Sequence, residues 1–290
     1  MIHVHKMGLS YYANGIDKNS GMTELQLIVD EIKNIETFDK NILIIINGIR
    51  DESDNKLFEL IKESDISIFI MSDSIALETS LDIMNACDYV LHQAPYHIFN
   101  EIKVPQKYSY VPELFYKYCR TLLLQGVIKL DSFKSPKIYF GGNNKNRDDK
   151  FKTYKINEAP NIFSRYKLYE TGKDTRISHN EYLKELSKFA YSLVICREDY
   201  RRIGWITSRY FEAIALGNIP LIDYEYDTHY FLIGLDSFLR ISDYESLTRA
   251  SKFLSSHSEY SELLLTRLRK DAELKITKFK ELIEKIIEEN

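Results

Sequence analysis

The chain has 290 residues, 44% hydrophobic and 28% charged, with only 11 Gly and 6 Pro. That balance excludes disordered and fibrous classes, and the length suits two separate cores. The net charge of −4 is uneven: residues 1–130 hold 12 Lys+Arg against 18 Asp+Glu, and residues 131–290 hold 27 against 25, so a nucleic-acid partner has to meet a local basic face.

Cys87, Cys119 and Cys196 are an odd set without CxxC spacing, which argues against a disulfide framework and a structural zinc site. The opening Met1-Ile2-His3-Val4-His5-Lys6 lacks the apolar stretch of a secretory leader. No run approaches the roughly 20 apolar residues of a membrane span. A reducing, cytoplasmic setting without a membrane is therefore expected.

In chain order, a helix is predicted over Glu24–Ile35, with Leu25, Ile28, Val29 and Ile32 on one face. Ile42 to Ile46 is a continuous apolar run, as in a strand buried on both faces, and Asn47-Gly48 ends it. Asn55–Glu63 reads as a helix, Ile66–Met71 as a strand, Leu77–Asn85 as a helix and Asp88–Leu91 as a strand. This alternation predicts a parallel α/β domain.

The turn cluster Asp131-Ser132-Phe133-Lys134-Ser135-Pro136 marks the expected domain boundary. A second alternation follows: strand Lys137–Phe140, helix Glu181–Phe189, strand Ser192–Cys196, helix Ser208–Leu216 and strand Ile219–Ile222. Helices over Leu247–Leu254 and Tyr260–Ile287 close the chain; Leu263, Leu264, Leu268, Leu274, Phe279, Leu282 and Ile286 are the apolar positions of the last. The expected layout is residues 1–132, 133–258 and a C-terminal helix over 259–290 that packs back on the first domain.

Three constellations carry candidate chemistry. In Ile206 to Asp223, Thr207 or Ser208 caps a helix and Gly217 ends it. Its N-terminus points to the crevice beyond the strand ends, where Arg209 can meet a diphosphate and Glu212 can accept two ribose hydroxyls. The alternative is an ordinary i,i+3 surface ion pair. Gly141-Gly142-Asn143 follows a strand, and small residues there let backbone N–H groups approach phosphate oxygens. Lys145, Arg147 and Lys150 add charge, and the alternative is a plain turn. Asp73, just past the strand Ile66–Met71, is either a general base or a helix N-cap. His3/His5, His92/His97 and His229 form no convincing metal set; the acidic Asp223–Asp227 loop is compatible with a divalent cation (Mg or Mn) but does not require one.

Together these segments resemble the DNA β-glucosyltransferase family of T-even bacteriophages. The resemblance rests on Asp199-Tyr200, Ile206-Thr207-x-Arg209-x-x-Glu212, Leu221-Ile222-Asp223-x-Glu225-Tyr226-Asp227-Thr228-His229, Ile138-Tyr139-x-Gly141-Gly142 and Thr171-Gly172-Lys173. Weaker matches are Met7-Gly8, Asn47, Ser72-Asp73 and Tyr110-Val111-Pro112-Glu113. It implies two Rossmann-like domains facing a cleft (the GT-B type) and an inverting transfer of a hexose from a UDP-sugar co-substrate to a hydroxymethylated pyrimidine of duplex DNA, such as 5-hydroxymethylcytosine. By resemblance Asp73 is the catalytic base, Gly142 and Asn143 lie at donor-phosphate positions, Tyr200 lies near the donor, Arg209 on the diphosphate and Glu212 on the ribose. The acceptor base would be flipped out, and a monomer in the host cytoplasm, serving restriction evasion, would follow for a phage-encoded enzyme.

Two departures stand out. Where the family has two arginines after its Gly-Gly, this chain has Lys145 and Asp149 or Lys150, point charges or a carboxylate in place of a guanidinium fork. The apolar residue after Thr-Gly-Lys, which touches the donor base, is here Asp174. The other readings are a GT-B enzyme acting on a saccharide, lipid-linked glycan or protein, and a non-catalytic nucleotide-sugar or DNA-binding module.

Overall fold

The computed structural model describes residues 1–8, 18–48, 50–71, 80–92, 106–109, 113–130, 133–141, 147–165, 169–170, 173–174, 178–195, 198–203, 207–226, 237–275 and 278–290. They form two compact units, Met1–Leu114 with Ile276–Asn290, and Phe115–Lys275.

In the first unit β1 (Ile2–Lys6), β2 (Ile42–Ile46), β3 (Ile66–Ile70), β4 (Tyr89–His92) and β5 (Gln106–Ser109) lie side by side in sequence order, every pair parallel. Every residue of β2 and β3 is buried, which is why both read as unbroken apolar runs. Between the strands run α1 (Lys18–Ile32), α2 (Leu57–Glu63) after a 3-10 turn, and α3 (Leu81–Ala86). Ile42, Ile44 and Ile46 share one sheet face with Ile66, Ile68, Ile70, Tyr89 and Leu91, and Ile28, Ile32 and Ile35 pack on it. Val29 is exposed: the buried stripe is the narrow seam through Leu25, Ile28 and Ile32, and Val29 is turned about 100° from Ile28.

The second unit opens in α4 (Glu113–Leu124). Then come β6 (Ser135–Phe140), α5 (Asp148–Thr153), β7 (Phe163–Arg165), the small antiparallel ribbon β8 (Tyr169–Glu170) and β9 (Lys173–Asp174), α6 (His179–Ser187) and β10 (Phe189–Val194). After these come α7 (Glu198–Ile203), α8 (Ser208–Ala215), β11 (Ile219–Asp223), β12 (Arg240–Ile241), α9 (Tyr244–Ser256) and α10 (Ser258–Lys275). The sheet order is β12-β11-β10-β6-β7, again all parallel. From β6 the chain therefore goes to one side for β7 and to the other for β10. That reversal is a topological switch point, and ligands of open α/β sheets bind outside the strand carboxyl ends there.

Helix α8 is buried from Tyr210 to Ala215. Its C-terminus is closed by a Schellman motif: Gly217 has φ +78°, Gly217 N–H donates to the Ile214 carbonyl (3.1 Å) and Asn218 N–H to that of Ala213 (2.8 Å). Lys134 Nζ donates to the carbonyls of Leu216 (2.6 Å) and Gly217 (3.0 Å), which also favours the negative helix end. The N-terminus departs from expectation. Thr207 holds the capping position, yet its side chain makes no capping bond. Instead the buried Tyr226 hydroxyl accepts from Thr207 N–H (2.7 Å) and lies 2.9 Å from Thr207 Oγ1, so a residue beyond β11 does the anchoring.

The single closing helix predicted over Tyr260–Ile287 is two helices. α10 buries Leu264, Leu268 and Ala272 in the second unit, whereas α11 (Phe279–Glu288) buries Phe279, Ile283, Ile286 and Ile287 in the core of the first. Leu263 and Leu274, candidates for the apolar face, are exposed. Asn290 Nδ2 donates to the Tyr89 hydroxyl (2.5 Å), and Lys40 Nζ donates to the Ile287 carbonyl (2.9 Å).

Because Ile283 is fully buried in that shared core, Ile283→Ala should cost about 2–5 kcal/mol of unfolding free energy. Denaturant titration checks this, and a cost below about 1 kcal/mol would show that α11 is not part of the first core.

Candidate functional site

The carboxyl edge of the second sheet collects Gly141 directly after β6, α7 after β10, and the N-termini of α6 and α8. Gly141 is packed tightly. A Cβ there would stand 2.5 Å from Tyr182 Cε2 and 2.9 Å from Tyr139 Cε1, so no side chain fits without moving a ring. Tyr139 stacks on Phe189 with centroids 5.2 Å apart and meets Tyr182 at 6.1 Å. The small residue expected after the strand is thus required by two tyrosine rings.

Glu212 lies a turn and a half into α8, with its side chain only 2% exposed. It forms no ion pair with Arg209, which removes the surface-pair alternative. Its basic neighbour among the described residues is His179, the first residue of α6, whose Nε2 is 3.5 Å from Glu212 Oε1. Ser178 and Glu181 form a reciprocal capping box that fixes this helix start. The His179 ring lies 6.2 Å from that of Tyr118 on α4 and 5.8 Å from that of Tyr182.

Burial pushes the Tyr182 phenol well above its ordinary range; Glu212 adds to this and Arg209 opposes it. Burial, helped by Glu212, does the same to the Cys119 thiol. Gly141 thus packs on the Tyr182 ring, and the charges of Arg209 and Glu212 both act on its hydroxyl. Neither Tyr182, His179 nor Cys119 was singled out in the sequence. The one available signal was the Ser178-x-x-Glu181 capping box, which puts His179 in a helix first turn.

Of the other site candidates, Arg147 is buried at the start of α5, and Tyr200 on α7 and Arg209 on α8 are partly buried. Asp174 sits on β9, paired with Tyr169. Asp73, Gly142, Asn143 and Lys145 lie outside the described residues.

Lys150, expected to add charge for phosphate, is committed elsewhere. Its side chain is 7% exposed, and Nζ lies 3.0 Å from Asp223 Oδ2 and 2.8 Å from Glu225 Oε2. Burial alone would lower its pKa, but the two carboxylates outweigh this and raise it. Asp223 Oδ2 also accepts from the Tyr154 hydroxyl (2.5 Å), and Asp223 Oδ1 from Glu225 N–H (2.9 Å). Glu225 accepts from Arg201 and, at 2.8 Å, from Tyr224. Burial alone would raise the Glu225 carboxyl, yet Lys150, Tyr224 and Arg201 hold it at about 2. The acidic end of β11 is thus occupied by this chain's own cations, which tie α5 and α7 to the sheet edge. Among the described residues no group of three or more His, Cys, Asp or Glu forms a metal site, and no helix is long and apolar enough to cross a membrane.

No protein-family model matches the chain, and no curated protein matches it. Solved structures do. The DNA-modifying enzyme β-glucosyltransferase is 14% identical, with 99% of both chains covered and a TM-score of 0.62. T4 phage β-glucosyltransferase is 15% identical, covering 99% of this chain and 98% of that one at 0.61. An α-glucosyltransferase in complex with UDP and a 13-mer DNA containing an HMU base is 14% identical, with 99% of both chains covered at 0.54. The likeness runs over essentially the whole chain and establishes a fold shared with these proteins.

Two predictions follow from the ion network. Lys150→Met leaves the 1%-exposed Asp223 carboxylate without its cation, a loss on the order of 3–5 kcal/mol, to be read by denaturant titration. Glu225 has a depressed folded pKa, about 2 against an ordinary 4.5, so its contribution is complete above about pH 4.5 and is lost as the pH falls through about 2. Melting temperatures of the native chain and Glu225→Gln should differ by a constant gap at pH 5–7 that closes towards pH 2; a gap independent of pH would refute the charge network.

Proposed function

We propose that the chain is an inverting glycosyltransferase that moves a hexose, glucose foremost, from a UDP-sugar to a hydroxymethylated pyrimidine in duplex DNA. The observation that carries this reading is the whole-length likeness, 99% of this chain, to glucosyltransferases described with UDP-glucose, UDP and DNA. The convergence of Gly141, Arg209 and Glu212 at the carboxyl edge, beside the switch point of the second sheet, supports it.

On this reading the second unit holds the donor. Glu212 accepts hydrogen bonds from the ribose hydroxyls, and Arg209 meets the diphosphate with a guanidinium fork. Gly141, Gly142, Asn143, Lys145 and Arg147 form the loop that approaches the phosphates, with Tyr200 and Asp174 flanking the donor. Asp73, in the first unit by chain position, takes the proton from the acceptor hydroxymethyl group. The resulting oxygen attacks the sugar C1 from the face opposite the leaving group, the C1–O bond to the diphosphate breaks, and UDP departs. Configuration inverts in this single displacement. The acceptor base leaves the stack to expose its hydroxymethyl group, and binding to DNA weakens as salt rises. A bound Mg or Mn would add charge stabilisation at the diphosphate, but no step above depends on it.

The acidic first half favours, as a second reading, a saccharide, lipid-linked glycan or protein acceptor. Incubation with several UDP-sugars and either hydroxymethylated duplex or other acceptors, followed by mass spectrometry, separates the two. Glucose appearing only on hydroxymethylated DNA is the expected result; transfer only to another acceptor would overturn the DNA assignment. Asp73→Ala should lower turnover by about two to four decades with donor affinity nearly unchanged, while Arg209→Ala should weaken donor binding as well as rate. Full activity in Asp73→Ala would remove Asp73 as the base.

A further inference from the structure

We infer that His179 is a positioning residue for the nucleotide donor: it holds the buried Glu212 carboxylate in place for the ribose hydroxyls. This rests on the donor reading above and adds a residue to it.

The argument starts from what a carboxylate 2% exposed requires. Burying an anion without a partner is costly, and a carboxylic acid that has taken up a proton loses acceptor capacity. To accept two ribose hydroxyls, Glu212 has to stay ionised inside α8. Arg209, three residues earlier on the same helix, does not pair with it. Tyr182 on α6 and Cys119 on α4 feel its charge, but a phenol and a thiol kept neutral by burial carry no positive charge to set against it. His179 Nε2, at 3.5 Å from Oε1, is the basic side chain of the described residues at ion-pair distance.

The position is also held firmly. The Ser178–Glu181 capping box fixes the first turn of α6, and the rings of Tyr118 and Tyr182 flank the imidazole. A separation of 3.5 Å is long for a hydrogen bond. It is within ion-pair reach, which suits a contact that orients the carboxylate. His179 need touch no atom of the donor; it acts through Glu212.

The test compares two probes, UDP and 2′,3′-dideoxy-UDP, by calorimetric titration of the native chain, His179→Ala, His179→Gln, Glu212→Gln and the His179→Ala/Glu212→Gln double variant. The expected result is that His179→Ala weakens UDP by about tenfold, a loss in the range of a charge-assisted hydrogen bond. It should change dideoxy-UDP by less than about twofold and have no further effect once Glu212 is replaced. His179→Gln, which keeps a donor at similar reach, should recover part of the loss. A merely structural role would weaken both probes alike.

Two outcomes overturn the inference in different ways. If UDP affinity depends on Glu212 but neither His179 variant moves it, His179 has no positioning role while the donor reading stands. If the native chain binds neither probe, the donor reading falls and the inference with it.

Discussion

A parallel sheet whose strand order reverses leaves one place where the chain departs in two directions, and the second unit is arranged around that place. From β6 the backbone crosses to β7 on one side and later to β10 on the other. Strand order of this kind sends the connections after β6 and β10 to opposite sides of the sheet, the arrangement in which open α/β sheets bind ligands beyond the strand carboxyl ends. Gly141 and α7 follow β6 and β10 at this edge, and α6 and α8 point their N-termini towards it. The first unit differs. Its described strands run β1-β2-β3-β4-β5 in one direction without a reversal, so topology alone assigns a ligand crevice to the second unit.

Two buried carboxylates at this edge are treated differently, and the difference sorts structure from function. Asp223 is surrounded by donors: Lys150, the Tyr154 hydroxyl and a backbone N–H saturate both its oxygens. A carboxylate so satisfied has little left to offer a ligand, and its effect is to bind α5 to the end of β11. Glu212 is as deeply buried, and its ion-pair neighbour among the described residues is one imidazole at a long 3.5 Å. The two sites also explain why Lys150 is a poor phosphate ligand: extracting it from between Asp223 and Glu225 would strand both carboxylates.

Much of this was legible in the sequence because the deciding patterns are local. The unbroken run Ile42 to Ile46 reports burial on both faces, and Gly217 before Asn218-Ile219-Pro220 reports a helix end followed by a strand. What stayed hidden depends on contacts between residues far apart in the chain. Thr207 looks like a helix cap, but Tyr226, nineteen residues on, takes over its hydrogen bonds. Lys150 looks like a free cation in a basic loop, and only the fold brings Asp223 to it. The split of the last helix is invisible for a third reason. Leu264, Leu268, Ala272, Phe279, Ile283 and Ile286 keep a helical spacing straight through the break, so periodicity carries no sign that the buried stripe passes from one core to another.

The same distinction bears on the donor site. Arg209 and Glu212 are adjacent on one helix face in any reading of the sequence, and spacing alone cannot separate a salt bridge from a ligand pair. The fold separates them by supplying neighbours from α4 and α6. With His179 at 3.5 Å from the carboxylate, Glu212 has a neighbour of its own that is not Arg209. In the donor reading proposed above, that leaves the Arg209 guanidinium for a phosphate at the helix N-terminus.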